Sequence, residues 1–167
     1  RIRQHRGFID AARKSGVSRV VYTSFLDTSE GSPFFAWTIN QDSEAYLKDS
    51  GIDFTILRSG MYAEADLDYI GEYLKIGTVA NNIGTQAKVS YISRRDLALA
   101  AVHCLLEEGH LGKTYTLTGP EPVTQPELAQ LISAWTGKTI PYMAMSDDDY
   151  RAIFPEPHWA EVVVTLY

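Results

Sequence analysis

The 167-residue sequence contains twelve glycines, yet no two of them are separated by a single residue. GxGxxG is thereby excluded, and GxxGxxG and the Walker pattern are absent too, so no stretch here forms the glycine-rich turn that cradles phosphates. A GxSxG nucleophile elbow is also missing. Cysteine occurs once, at Cys104, which excludes an intrachain disulfide and makes a reducing, cytoplasmic setting the expected one. The four histidines (His5, His103, His110 and His158) show no metal-ligand spacing with each other or with Cys104, so no metal is expected. Cys104 lies in an apolar helical pattern and reads as a small core residue. No apolar run approaches the ~18–20 residues that a membrane helix needs, so no membrane partner is expected. Positive charge is in the minority, with 15 Lys and Arg against 21 Asp and Glu. The net charge of −6 argues against a nucleic-acid partner, because an acidic surface repels phosphate backbones.

What is present is an ordered α/β pattern. His5, Phe8, Ile9 and Ala12 fall on one face of a helix that Gly16 ends. Residues 17–24, centred on Val20-Val21-Tyr22, form a β-branched and aromatic run without strict alternation, the signature of a strand buried on both faces. A Ser- and Gly-rich loop leads to a helix over residues 35–50, stopped at Gly51, and Phe54-Thr55-Ile56-Leu57 reads as a second buried strand. Strand, helix and strand with short connections imply a right-handed parallel βαβ unit.

Further on, a helix is expected over 61–76, turns at Asn81-Asn82 and Gly84, and a short strand over 89–92. Ser93 with Asp96 opens a helix whose apolar stripe is Leu97, Ala98, Ala101, Val102 and Leu105. Tyr115-Thr116-Leu117 is a strand. Thr124 with Glu127 opens another helix, and Ser146 with Asp149 a last short one.

The blocks Gln4-His5-Arg6, Gly16-Val17 and Val21-Tyr22-Thr23-Ser24-Phe25 resemble the NmrA-like branch of the atypical short-chain dehydrogenase/reductases. Ser43-Glu44-Ala45-Tyr46-Leu47, the run from Ser50-Gly51-Ile52 to Gly60-Met61-Tyr62, Ser93-Arg94-Arg95-Asp96-Leu97-Ala98 and Gly112-Lys113-Thr114 to Thr118-Gly119-Pro120 continue the resemblance in order. Within that branch the sequence is most similar to the NAD(P)H-dependent quinone reductases and the triphenylmethane reductases; residues 155–167 depart from the pattern.

The resemblance implies an α/β fold: the C-terminal part of a Rossmann-type parallel sheet with a small α/β substrate-binding subdomain. Residues 1–60 would form the C-terminal half of the NAD(P)-binding domain. Residues 61–167 would form the small substrate-binding part, with helix 93–108 packing back on the Rossmann half. The family's phosphate-binding loop lies on its first strand-helix turn, so the chain is expected to lack the segment that grips the pyrophosphate. The residues that discriminate NADP from NAD fall in the same missing segment. That segment, or a second copy of the chain, would cover the sheet edge left open.

The same resemblance implies cofactor contacts at Thr23, Ser24, Phe25, Asn40, Gly60, Met61 and Tyr62, the first three and last three at strand carboxyl ends where ligands of open α/β sheets bind. Each has a structural alternative: a loop cap for Thr23 to Phe25, a satisfied amide for Asn40, a turn for Gly60 and core packing for Tyr62. Phe35, Trp37 and Tyr62 are weaker candidates for lining a flat substrate pocket. Glu44 reads as structural, and Arg94 or Arg95 as an ion-pair partner.

No catalytic residue is assigned. The Tyr-x-x-x-Lys pair of typical short-chain dehydrogenases is absent, Ala36 and Asn40 standing in its places. Alcohol oxidation needs such a base. Hydride transfer to a quinone, an azo compound or a similar electron-poor small molecule needs only alignment of donor and acceptor. An NAD(P)H-dependent oxidoreductase, when complete, is the first expectation. A non-catalytic dinucleotide sensor acting through a protein partner and a cofactor-free interaction module stand beside it.

Overall fold

The computed structural model describes residues 1–34 and 36–153, which fall into two compact units. The first is built from Arg1–Gly60 and Ile92–Thr118, and the second from Met61–Tyr91 and the chain from Gly119 onward.

The first unit holds α1 (Ile2–Lys14), β1 (Arg19–Phe25), α2 (Trp37–Asp49), β2 (Asp53–Ser59), α4 (Arg94–Leu106) and β7 (Lys113–Leu117). Its sheet has the order β1-β2-β7, all parallel, with Arg19 opposite Asp53 and Phe25 opposite Ser59. Side chains alternate across a strand. Val20 and Tyr22 therefore share a face with Phe54 and Ile56, and this face packs on Ile9 and Ala12 of α1 and Leu47 of α2. The opposite face packs on α4. Arg19 reaches the end of α4, where its guanidinium donates at 3.1 Å to the carbonyls of Cys104, Leu105 and Glu107. A cation there satisfies orphan carbonyls and complements the helix dipole.

Two expectations for the helices change. Phe8 is 67% exposed, because α1 turns Ile9 and Ala12 inward and leaves Phe8 on its flank. On α4 it is Leu97 and Cys104 that are buried, while Ala98, Val102 and Leu105 are exposed. Apolar residues surround most of that helix, so their spacing does not select a face.

The second unit holds β3 (Met61–Tyr62), α3 (Ala63–Ile76), β4 (Val79–Asn81), β5 (Lys88–Val89), β8 (Val123–Thr124), α5 (Gln125–Thr136), β9 (Tyr142–Ala144) and α6 (Asp147–Ala152); β6 (Tyr91–Ile92) spans the boundary. Strands β4 and β9 pair in parallel, and β5 and β8 antiparallel. Tyr73, Val79, Ala129, Ile132 and Ile140 form the core. Thr124 and Glu127 make a full capping box, with the Thr124 amide donating to Glu127 Oε2 at 2.7 Å.

Asn81, expected in a turn, is instead 1% exposed at the end of β4. Its Nδ2 donates to Gln125 Oε1 at 2.9 Å, and its Oδ1 accepts from Tyr142 Oη and the Ile83 amide. Buried amides persist when they are satisfied in this way. Among the described residues no helix is long and apolar enough to cross a membrane.

Candidate functional site

Parallel pairing brings the carboxyl ends of β1 and β2 side by side, with Ser24 opposite Arg58 and Phe25 opposite Ser59. The ladder runs on past the strands: the Leu26 amide donates to the Ser59 carbonyl at 3.0 Å, and the Gly60 amide to the Leu117 carbonyl at 2.9 Å. Thr23, Ser24, Phe25 and Gly60 are thus gathered at one end of the sheet, where ligands of open α/β folds bind.

Their side chains take different directions. Thr23 is exposed. Phe25 stacks on Phe34, with ring centroids 4.3 Å apart. Ser24 is 5% exposed and turns into the helix layer, where its hydroxyl donates to Glu44 Oε1 at 2.7 Å. Its proton is committed within the fold.

Glu44, on α2, is the hub of this end of the sheet. Its carboxylate also accepts from Arg58 Nε at 2.9 Å and Arg58 Nη2 at 2.6 Å, and Lys48 Nζ lies 3.6 Å away. Burial alone would raise this acid. The hydrogen bonds from Arg58 and Ser24, together with the charges of Arg58 and Lys48, outweigh burial and hold Glu44 below its ordinary value. Beside the cluster lies a cleft of about 540 Å³, lined by the loop after β1 and by Gln41, Glu44, Lys48 and Arg58.

Asn40 stands one turn before Glu44 and accepts from Tyr22 Oη at 3.1 Å through its Oδ1. Next to this pair, His5 Nδ1 lies 2.8 Å from Ser43 Oγ, whose own proton goes to the Ile39 carbonyl at 2.7 Å. Nδ1 of His5 is therefore the donor. Asn40 is satisfied through its oxygen, and its NH2 group remains able to donate.

Trp37 opens α2 and is half-buried. Phe35 lies outside the described residues, as does the divergent stretch 155–167. Met61 and Tyr62 belong to the second unit as β3, Met61 buried and Tyr62 at the N-cap of α3. Cys104 is buried, and burial pushes its thiol up, as suits a core residue rather than a nucleophile. Among the described residues no group of three acidic, His or Cys side chains is placed to hold a metal ion.

The sequence pattern did not single out Arg58 as a site residue. Its partner Glu44 precedes it by fourteen positions on a different kind of element, and no periodicity links them.

A parallel sheet with helices on both faces and its loops gathered at the strand carboxyl ends defines a nucleotide-binding α/β class. The family described as NAD(P)H-binding matches residues 1–108, and the chain belongs to it. Quinone oxidoreductase 2 of Escherichia coli (strain K12) is 36% identical over 149 residues, which are 89% of this chain and 51% of that protein. The chain thus spans about half the length of this relative. The solved NADPH-dependent quinone oxidoreductase of Escherichia coli, complexed with NADPH, superposes with a TM-score of 0.89 at 32% identity, over 97% of this chain and 58% of that one. Triphenylmethane reductase of Citrobacter sp., complexed with NADP(H), gives a TM-score of 0.89 at 31% identity, over 99% and 59%. The Rossmann-type α/β expectation and the NmrA-like reductase resemblance agree with these likenesses.

Proposed function

We propose that the chain is the C-terminal part of an NAD(P)H-dependent reductase that transfers hydride to a quinone, an azo compound or a similar electron-poor small molecule. The observation that carries this reading is the joint carboxyl end of β1 and β2, presented by a chain of the NAD(P)H-binding family whose relatives include a quinone oxidoreductase.

The residues there suit a dinucleotide. Thr23 is exposed, Asn40 keeps an NH2 donor, and Gly60, its amide bonded to Leu117, carries no side chain. Met61 and Tyr62, next in the chain, are the further candidates that the resemblance adds. Phe35, Trp37 and Tyr62 are the aromatic residues proposed for the acceptor. A bound reduced nicotinamide would supply the hydride. The protein's part is to align donor and acceptor, and water delivers the proton to the reduced acceptor, so no buried acid is required of the chain.

The Ser24–Glu44–Arg58 cluster positions rather than reacts: it ties the end of β1 to α2 and β2, and so holds the Thr23 and Gly60 backbones in register. Among the described residues, strand β1 is terminal in its sheet. Beside it an apolar groove of about 380 Å³ is lined by Phe8, Val17, Val20, Val21 and Leu105. A strand from a segment preceding Arg1, or from a second copy, would satisfy this open edge.

The test is oxidation of NADPH and NADH in the presence of a quinone or an azo dye, by the 167-residue chain and by a version extended upstream on its gene. Turnover by the extended version is the expected result. Dinucleotide binding without turnover on any acceptor would replace the reductase with a sensor.

A further inference from the structure

Four polar side chains from three elements meet where α1 and α2 cover the sheet: His5 of α1, Tyr22 of β1, and Asn40 and Ser43 of α2. Their protons can be placed one at a time. Ser43 Oγ and the Ile39 carbonyl oxygen are 2.7 Å apart, and only the hydroxyl has a proton to put between them. Ser43 therefore accepts from His5 Nδ1, 2.8 Å away. Nδ1–H is then a donor whether the imidazole is neutral or protonated. The 3.5 Å contact between Tyr22 Oη and His5 Nδ1 thus offers the tyrosine proton no acceptor. Asn40 Oδ1, at 3.1 Å, is the acceptor that remains. Burial pushes the Tyr22 hydroxyl up, so it keeps that proton.

An amide can present either end to a neighbour, and the donors and acceptors around it decide which. Turned round, Asn40 would offer Nδ2 to Tyr22 Oη and leave the tyrosine proton without an acceptor among the described residues, an unfavourable state for a half-buried hydroxyl. In the arrangement found, Nδ2 makes no hydrogen bond to any described residue and keeps surface open to solvent. Asn40 lies in the first turn of α2, the end that the chain reaches from the carboxyl end of β1.

We propose that Tyr22 is a positioning residue: it holds the Asn40 amide with its NH2 group outward, so that this position takes an acceptor oxygen of the bound dinucleotide. Phenylalanine would fill the same space in the core but would not select an orientation of the amide. The identity of the ligand rests on the reductase reading; the orientation of the amide does not, and the two are tested apart.

The first arm is NMR on the 167-residue chain without nucleotide. The Asn40 NH2 signals, identified by their loss in Asn40→Asp, are expected to show no NOE to the Tyr22 ring. In Tyr22→Phe the amide samples both orientations, and an NOE to the ring at position 22 is expected to appear. An NOE already present in the wild-type chain, or a pattern that Tyr22→Phe leaves unchanged, would overturn the proposal. The second arm measures the NADPH dissociation constant of the version extended upstream. Asn40→Ala is expected to weaken binding about tenfold, the worth of one hydrogen bond. Tyr22→Phe is expected to weaken it about twofold, since half of the amides then face the wrong way. The double variant is expected to match Asn40→Ala alone. Losses that multiply in the double variant, or none with Tyr22→Phe, would also overturn it. An extended version that binds no NADPH would sink the reductase reading, and the NMR arm would still decide the role of Tyr22.

Discussion

Glu44→Leu is expected to lower the stability of the fold by about 3 kcal/mol, read as a drop in the urea midpoint. The change removes one partner of a buried ion pair and leaves the Arg58 guanidinium and the Ser24 hydroxyl without their acceptor. Breaking such a pair costs ~3–5 kcal/mol. The lower bound applies here because the Arg58 side chain is 32% exposed and water compensates it in part. Glu44→Leu combined with Arg58→Met is expected to cost less than Glu44→Leu alone, since both charges then leave together. A double variant as unstable as the sum of the two singles would show that the pair does not couple.

Glu44 also sets a pH dependence. Its folded value lies below the unfolded one, so the native state binds fewer protons in the interval between them. The stabilisation is present above the ordinary glutamate range and is lost as the pH falls through the folded value. Glu44→Leu should flatten stability in that acidic window and nowhere else.

The second large effect concerns a glycine. Gly119→Ala is expected to destabilise the protein by about 3 kcal/mol, the upper part of the overpacking range. A Cβ at Gly119 would overlap the Tyr91 carbonyl oxygen and stand 3.3 Å from its carbon. Both groups are backbone, so neither can rotate away. The backbone of Gly119 is not in the left-handed region, so the cost is steric and not conformational. Gly71→Ala supplies the contrast. Gly71 lies within α3, and a Cβ there meets nothing within 4 Å. Alanine is favoured over glycine inside a helix by ~0.5–1 kcal/mol, so the same substitution should raise stability at 71 and lower it at 119. Thermal melts of the two variants decide it; shifts of the same sign would contradict the packing described at Gly119.

These effects show which parts of the fold were legible in the sequence. The βαβ unit was legible because Val20, Tyr22, Ile56 and Leu57 sit in apolar runs separated by a helix-length segment, and both runs are strands. Ser93, Thr124 and Ser146 each accept from the amide three residues on, as their spacing implied. Strands β4 and β9 were not legible. Three residues carry no period, and the pairing joins Val79 to Tyr142, far apart in sequence. The face of α4 was misread for a different reason: Leu99, Val102, Leu105 and Leu106 make its outer side as apolar as its inner one.

The candidate site divides along the same line. That Thr23, Ser24 and Gly60 stand at strand carboxyl ends could be read from the sequence, because strand boundaries can. The direction of the Ser24 hydroxyl could not. It depends on Glu44 arriving from α2, and Glu44 is held there by the Arg58 guanidinium arriving from β2. A chain of three residues on three elements has no local signature. Gly119 falls between the two: it stands in a block that resembles the family's pattern, and its reason, the approach of the Tyr91 backbone, exists only in three dimensions.

The most direct measurement is an NADPH titration followed by amide chemical shifts, on the 167-residue chain and on a version extended upstream on its gene. The account predicts that the extended version binds and that the shifts gather at Thr23, Phe25, Asn40 and Gly60. A folded extended version that does not bind, or one whose shifts leave the carboxyl ends of β1 and β2 untouched, would contradict it.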